Sequence, residues 1–163
     1  IQGAMGSDAQ IGRTGALDKQ VAENDNWTIV VQQTATWDEA EAKKIVESVI
    51  NSKEDFNIIY AENDGMARGA VAALDDAGIT HGVDGKVIVI GFDCNRWALR
   101  EVLAGTWNYD GQCSPFQAQV ISDMIKILEE GGTIETKLVI SEEKGFDAAT
   151  ITQADIDQYG LGE

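Results

Sequence analysis

Three apolar runs divide the chain at intervals that leave room for one helix between each pair. They are WTIVVQQ (Trp27 to Gln33), FNIIYA (Phe56 to Ala61) and KVIVIGFD (Lys86 to Asp93). Each has the length of a strand, and none alternates polar with apolar, which suits strands buried on both faces of a parallel sheet. WNYDGQC (Trp107 to Cys113) and TKLVIS (Thr136 to Ser141) are weaker strand candidates. The stretches between carry helix signals. Thr36-Trp37-Asp38-Glu39 has capping-box spacing, with Ala40, Ile45, Val46, Val49 and Ile50 following at helical spacing. Ser114-Pro115-Phe116-Gln117 repeats that spacing, with Pro at the first helical position. The face it starts would hold Phe116, Val120, Ile121, Met124, Ile125 and Leu128. Asn63 or Asp64 is placed to cap a helix that turns Met66, Ala70, Val71 and Leu74 inward. Gly78 and Gly105 read as helix stops. A first helix is expected over residues 9–23 and a short last one in TQADIDQYG. This alternation implies an α/β fold: a parallel sheet flanked by helices on both faces, joined by right-handed crossovers.

Charge and motifs narrow the function. With 163 residues the chain is long enough for one domain with a proper core. Its 12 basic and 28 acidic residues give a net charge of −16. That disfavours nucleic-acid binding through phosphates and adhesion to an anionic membrane surface. There is no G-x-S-x-G elbow, P-loop or zinc spacing. The single histidine, His81, lies in the turn AGITHGVDG and reads as a loop residue, not a catalytic base. Asp93 follows a strand as a phospho-acceptor would, but the acidic cluster and late lysine of a receiver domain are lacking. No enzyme, cofactor or metal is therefore expected. Cys94 and Cys113 are too few for a disulfide framework, and whether they pair is open.

In parallel α/β sheets ligands bind beyond the carboxyl ends of the strands. The residues due there are Ser7, Asp8, Arg13, Thr36, Trp37, Asn63, Asp64, Asp93, Asn95 and Cys113. A sugar presents hydroxyls on its edge and C–H groups on its faces. Carboxylate, amide and guanidinium groups serve the hydroxyls, and an aromatic ring covers the C–H face. Each residue also has a plain reading: Asn63 or Asp64 as a helix cap, Asp93 as another, Trp37 as packing and Arg13 as a solvated helix residue. Only their convergence makes a site.

YAENDGMARGAVAALDDAGI, followed by GKVIVIGFD, resembles the C-terminal lobe of the ribose-type periplasmic sugar-binding proteins. These are the solute-binding components of bacterial sugar ABC transporters, with a fold of the periplasmic binding protein-like I class. IQGAMGSDAQIGRTGAL is similar to that family's strand, loop and helix bearing the ligand arginine. QTATWDEAEAKKIVESVI is similar to the next strand–helix step, and VLAGTWNYDGQCSPFQAQ to the hinge strand and return helix. The Cys-x-Pro of that last stretch and the tail ISEEKGFDAATIT look most like the galactofuranose-binding subgroup.

Carried over, the resemblance makes Arg13, Asn63 and Asp93 hydroxyl-binding residues and Trp37 the stacking aromatic. Cys113 falls where ribose binders carry glutamine, which speaks against ribose itself. The implied partners are a monosaccharide and an ABC permease, outside the cytoplasmic membrane: periplasmic, or lipid-anchored in a Gram-positive cell. Residues 1–113 would form the C-terminal sugar-binding lobe with its first strand truncated. Residues 114–163 would be the return helix, strand and tail that complete the N-terminal lobe. The chain would then be a fragment, liable to self-association through residues 114–140. The alternative reading is the effector-binding domain of a lactose-repressor-like regulator, which shares the lobe fold and the Asn-Asp and Gly-Phe-Asp signals.

Overall fold

The computed structural model describes residues 1–135 and 142–162. Its helices are α1 (Asp8–Ala22), α2 (Glu39–Asn51), α3 (Asp64–Asp76), α4 (Arg96–Ala104), α5 (Ala118–Glu129) and α6 (Gln153–Tyr159). The strands are β1 (Ile58–Tyr60), β2 (Ile88–Asp93), β3 (Tyr109–Gln112) and β4 (Gly145–Asp147). They form one sheet in the order β1-β2-β3-β4. β1, β2 and β3 run parallel, with Ile59 opposite Val89 and Phe92 opposite Gly111. β4 pairs antiparallel with β3, Asp110 opposite Phe146. The sheet is therefore mixed. A three-residue strand such as Gly145–Asp147 is too short to leave a periodic signature, so the sequence does not announce it.

The run Trp27–Gln33 is the one clear departure among the strongest strand candidates. It forms no ladder; the one bridge nearby, Gln2 to Thr34, falls on the residue just past it. A strand is defined by its neighbours, and the backbone beside this run is Ile1–Gly3, which reaches only its far end. Gln2 N donates to Gln33 O at 2.8 Å and Ala35 N to Gln2 O at 2.9 Å. On their other side the same opening residues meet β1, where Glu62 N donates to Ile1 O at 3.0 Å. Between the run and β1 lies a cleft of about 450 Å³, lined in part by Val30, Val31, Ile58 and Tyr60. TKLVIS, at 136–141, falls outside the described residues.

Helix ends follow local chemistry with two shifts. α1 is capped by the Ser7 hydroxyl, α6 by a reciprocal Thr152/Asp155 capping box, and Gly105 closes α4 at φ 77°. Gly78 follows α3 at φ 67°. α2 starts later than the Thr36 spacing implies. Asp38 accepts from Glu41 N at 2.8 Å, while Thr36 and Trp37 stand outside the helix at φ 52° and 70°. α5 likewise begins at Ala118, after Pro115, and none of its residues is buried.

The core lies between the sheet and helices α2, α3, α4 and α6. Trp107, fully buried, meets Trp97 of α4 edge to face at 5.8 Å between ring centroids. β4 and α6 join this body through β3 and α4. Within the stretch from Ser114 onward, the part from Gly145 thus packs on the body formed by the residues before Ser114. Phe116 is 75% exposed, and Ile121, Ile125 and Leu128 are exposed with it.

α2 and α3 touch backbone to backbone. A Cβ built at Gly69 would lie 2.0 Å from the Glu39 carbonyl oxygen. Helix propensity alone favours Gly69→Ala by roughly 0.8–1 kcal/mol. The contact reverses the sign: we expect a net loss of about 1–3 kcal/mol from overpacking. Urea melts of the two proteins check this, and a more stable Ala variant would contradict the close approach.

Candidate ligand site

The expected ligand residues gather beyond the carboxyl ends of the parallel strands, and the backbone explains why. Tyr60 ends β1; Ala61 and Glu62 carry the chain to Asn63, which starts α3. Glu62 is 1% exposed and acts as the local anchor. Its carboxylate accepts from Gly3 N at 2.7 Å and from the Thr14 hydroxyl, so it clamps the opening loop and α1 to the sheet. Its main-chain oxygen accepts from the Arg13 guanidinium. Arg13 is thereby delivered to Asp93 at the end of β2, with Nη2 2.8 Å from Oδ1. Tyr60 supports the same arginine from below, its hydroxyl donating to Arg13 O at 2.9 Å. Burial lifts the Tyr60 phenol to about 12, so it remains a donor.

The aromatic wall has two members. Arg13 Cζ lies 5.9 Å from the Trp37 ring centroid and 5.0 Å from that of Phe92. Trp37 reaches the site because its backbone takes the left-handed region and its ring lies over Gly3. A Cβ at Gly3 would come within 2.0 Å of the Trp37 ring. Phe92 is braced edge to face by Tyr60 at 5.2 Å. Asp93 and Cys94 are also left-handed, at φ 108° and 59°. That turn swings the Asp93 carboxylate back toward Arg13. Burial pushes the Asp93 carboxyl upward, and the Arg13 charge pulls against it. With one side 12% and the other 32% exposed, the pair is half-sheltered and open at its rim.

Asn63 is itself the helix cap. Its Oδ1 accepts from Met66 N at 2.7 Å, which leaves the amide nitrogen as the donor for anything in the cleft. Its neighbour Asp64 does not cap; it points into the interior and is fully buried. Cys113 stands one residue past the Asp93–Gln112 pair, exposed, and hydrogen-bonds to none of the other four. Cys94 is buried and both thiols are free. His81 braces its turn, its ring nitrogens 2.8 Å from Thr106 O and 3.1 Å from Asp75. Thus Arg13, Trp37 and Asp93 converge, Asn63 joins them through the residue beside it, and Cys113 stays at the edge. Phe92 and Glu62 escaped sequence reasoning. An aromatic directly before the strand-end aspartate was the available signal for the first. A lone acid closing an apolar run was the signal for the second.

Arg13, Asn63 and Asp93 offer fixed donors and a carboxylate at the mouth, and Trp37 and Phe92 offer flat apolar faces. Such a set has the chemistry to orient a small neutral polyol. Among the described residues no three acidic, histidine or cysteine side chains group as a metal site, and no helix is long and apolar enough to cross a membrane.

The chain is similar to several known proteins. The chain is 30% identical over 156 residues to the fructose import binding protein FruE of Bifidobacterium longum, covering 94% of this chain and 46% of that protein. It is 24% identical over 145 residues to the galactofuranose-binding protein YtfQ of Escherichia coli, covering 87% and 45%. Among solved structures it matches the periplasmic binding protein of the arabinose ABC transporter from Shewanella sp. ANA-3, bound to arabinofuranose. The TM-score is 0.87 at 24% identity, over 98% of this chain and 52% of that one. A periplasmic solute-binding protein of Actinobacillus succinogenes with bound D-allose matches with TM-score 0.81 at 26% identity, over 97% and 53%. The chain spans about half the length of these relatives. A sequence profile of the periplasmic binding protein domain matches residues 1–133, and the chain belongs to that family.

Proposed function

We propose that the chain supplies one lobe of the solute-binding component of a bacterial ABC sugar importer. The observation that carries this reading is the Arg13–Asp93 pair set between Trp37 and Phe92 at the strand ends. Asp93 accepts from sugar hydroxyls, Arg13 and the Asn63 amide donate to them, and Trp37 stacks on a C–H face. Binding involves no chemistry. The other lobe closes over the ligand by hinge motion and the closed form meets the permease, outside the cytoplasmic membrane. In a Gram-positive cell a lipid anchor would hold it there. The names of the relatives, all import or sugar-binding proteins, support this reading over the lactose-repressor-like regulator.

In this reading residues 1–113 form the sugar-binding lobe. The exposed face of α5, with Phe116, Ile121, Ile125 and Leu128, belongs against the other lobe. In the isolated chain a second copy covers it. Sedimentation should then show dimers that dissociate on dilution and are lost in Ile121→Asp. A monomer at all concentrations would remove the self-association.

Half a clamp binds weakly, because desolvation of the ligand is incomplete. Binding is therefore measured on the full-length gene product, by tryptophan fluorescence against pentoses, hexoses and cyclitols. One monosaccharide should saturate the signal. Asp93→Ala should weaken it about 10- to 100-fold, since it removes a charged hydrogen bond and leaves Arg13 unpaired. Asn63→Asp keeps a capping oxygen and loses only the amide donor, so affinity should fall while the melting midpoint holds. Wild-type affinity in both variants would refute the site.

A further inference from the structure

Behind the cleft lie two acidic side chains that the binding scheme does not use. Asp64, at the start of α3, and Asp110, in the middle of β3, are both fully buried. Their carboxyl groups lie side by side: a Cβ on Gly91, the strand partner of Asp110, would come within 2.8 Å of Asp64 Oδ1, and the two acids take the successive main-chain N–H groups of Cys94 and Asn95. Each also has one buried oxygen with no donor, Oδ1 of Asp64 and Oδ2 of Asp110. Two ionised carboxylates cannot bond, and two orphaned acceptors in a packed interior are costly. One proton between them cancels both deficits.

We propose that Asp64 and Asp110 hold a single shared proton in the native protein, and that this proton pins the strained turn that aims Asp93 into the cleft. The remaining hydrogen bonds say where the proton rests. Asp64 Oδ2 accepts from Asn95 N at 2.8 Å and Asn95 Nδ2 at 3.0 Å, two donors that favour its charged form. Asp110 Oδ1 receives one main-chain donor, Cys94 N, at the longer distance of 3.4 Å. Asp64 is therefore the carboxylate and Asp110 the acid, its O–H donating to Asp64. Burial pushes both groups upward, Asp110 further because the Asp64 charge faces it. The other titratable or charged groups facing the pair are Asp93 and Cys94 at the end of β2, Arg68 from α3 and Tyr109 from β3. Asp93 carries Arg13 as its own partner, and burial keeps the Cys94 thiol protonated.

The carboxyl pair holds Cys94 and Asn95 by their main-chain N–H groups. These residues follow Asp93 directly, and Asp93 and Cys94 have left-handed backbone. Loss of the proton sets two negative charges against each other under that turn. The pair thus positions a binding residue and does not itself touch a ligand. This ligand consequence rests on the carbohydrate reading above; the proton does not.

The sign follows from linkage. Above about pH 4 the unfolded chain has released this proton, whereas the native protein keeps it. The pair's contribution is full below the unfolded carboxylate pKa and is lost as pH rises through the native one. Asp110→Asn presents an amide that accepts from Cys94 N and donates to Asp64, with no proton to lose. The ratio of unfolding constants, wild type over Asp110→Asn, should rise about tenfold per pH unit from pH 5 until the native pair titrates. A flat ratio overturns the proposal. Carboxyl carbon-13 NMR of the aspartate-labelled wild type needs no variant. One aspartate should still be protonated at pH 7, and full ionisation by pH 6, as a bridging water or cation would give, also overturns it. In the full-length protein sugar affinity should weaken at high pH in wild type and stay level in Asp110→Asn. An NMR-detected proton with no sugar bound at any pH would sink the carbohydrate reading and leave the proton standing.

Discussion

The site depends on one buried glutamate. Glu62 leaves β1 with its carboxylate turned toward the opening loop and α1, where Gly3 N and the Thr14 hydroxyl satisfy it. A carboxylate that deep is tolerated only when it is hydrogen-bonded, so these donors cannot be spared. Because they sit on the opening segment, satisfying the charge fixes that segment against β1. Arg13 is then in place one residue before Thr14, held by the Glu62 carbonyl and facing Asp93. Trp37 follows from the same arrangement, since its ring rests on Gly3. Electrostatics inside the protein thus sets the geometry outside it.

Backbone strain collects at the same rim. Thr36, Trp37, Asp93 and Cys94 are all non-glycine residues in the left-handed region. Each such conformation costs about 1–3 kcal/mol and persists only where its surroundings overdetermine it. Asp93 and Cys94 are held by Arg13 on one side and by the buried carboxyls on the other. Thr36 is tied by its N–H to the Thr34 hydroxyl. These two turns lie at the candidate binding edge, where a side chain has to leave the sheet at an unusual angle; the remaining such residue, Lys53, follows the end of α2.

The sequence was most readable where structure is decided locally. The runs around Ile59 and Val89 became β1 and β2, and Gly78 and Gly105 mark helix ends where glycine chemistry demands. It was less readable where structure depends on partners. Trp27–Gln33 has the composition of a strand, yet pairing needs a neighbour along its length, and Gln2 meets it only at its last residue, Gln33. Asp38, not Thr36, caps α2 because Trp37 turns back toward Gly3 before the helix can start. For the candidate site, Asn63 and Asp93 stand after strands as expected, whereas Arg13 and Trp37 follow runs that form no strand of the sheet. The depth of Glu62, Asp64 and Asp110 was not, because an acidic residue in an acidic chain looks solvated until the fold closes over it. Asn63 and Asp64 divide the work opposite to appearances: the amide serves the helix end and the rim, and the charge goes inside.

The contact between α2 and α3 has a consequence for how such a cleft changes over time. Trp37 leads into α2 and Asn63 into α3, and the helices meet at Glu39 and Gly69, within two turns of both residues. A single missing side-chain carbon therefore sets the spacing between the stacking face and the amide donor. Under the carbohydrate reading, ligand preference can then drift through position 69, which lies outside the candidate site. A lineage that enlarged it would widen the cleft by sliding one helix along the other, leaving every binding side chain unaltered.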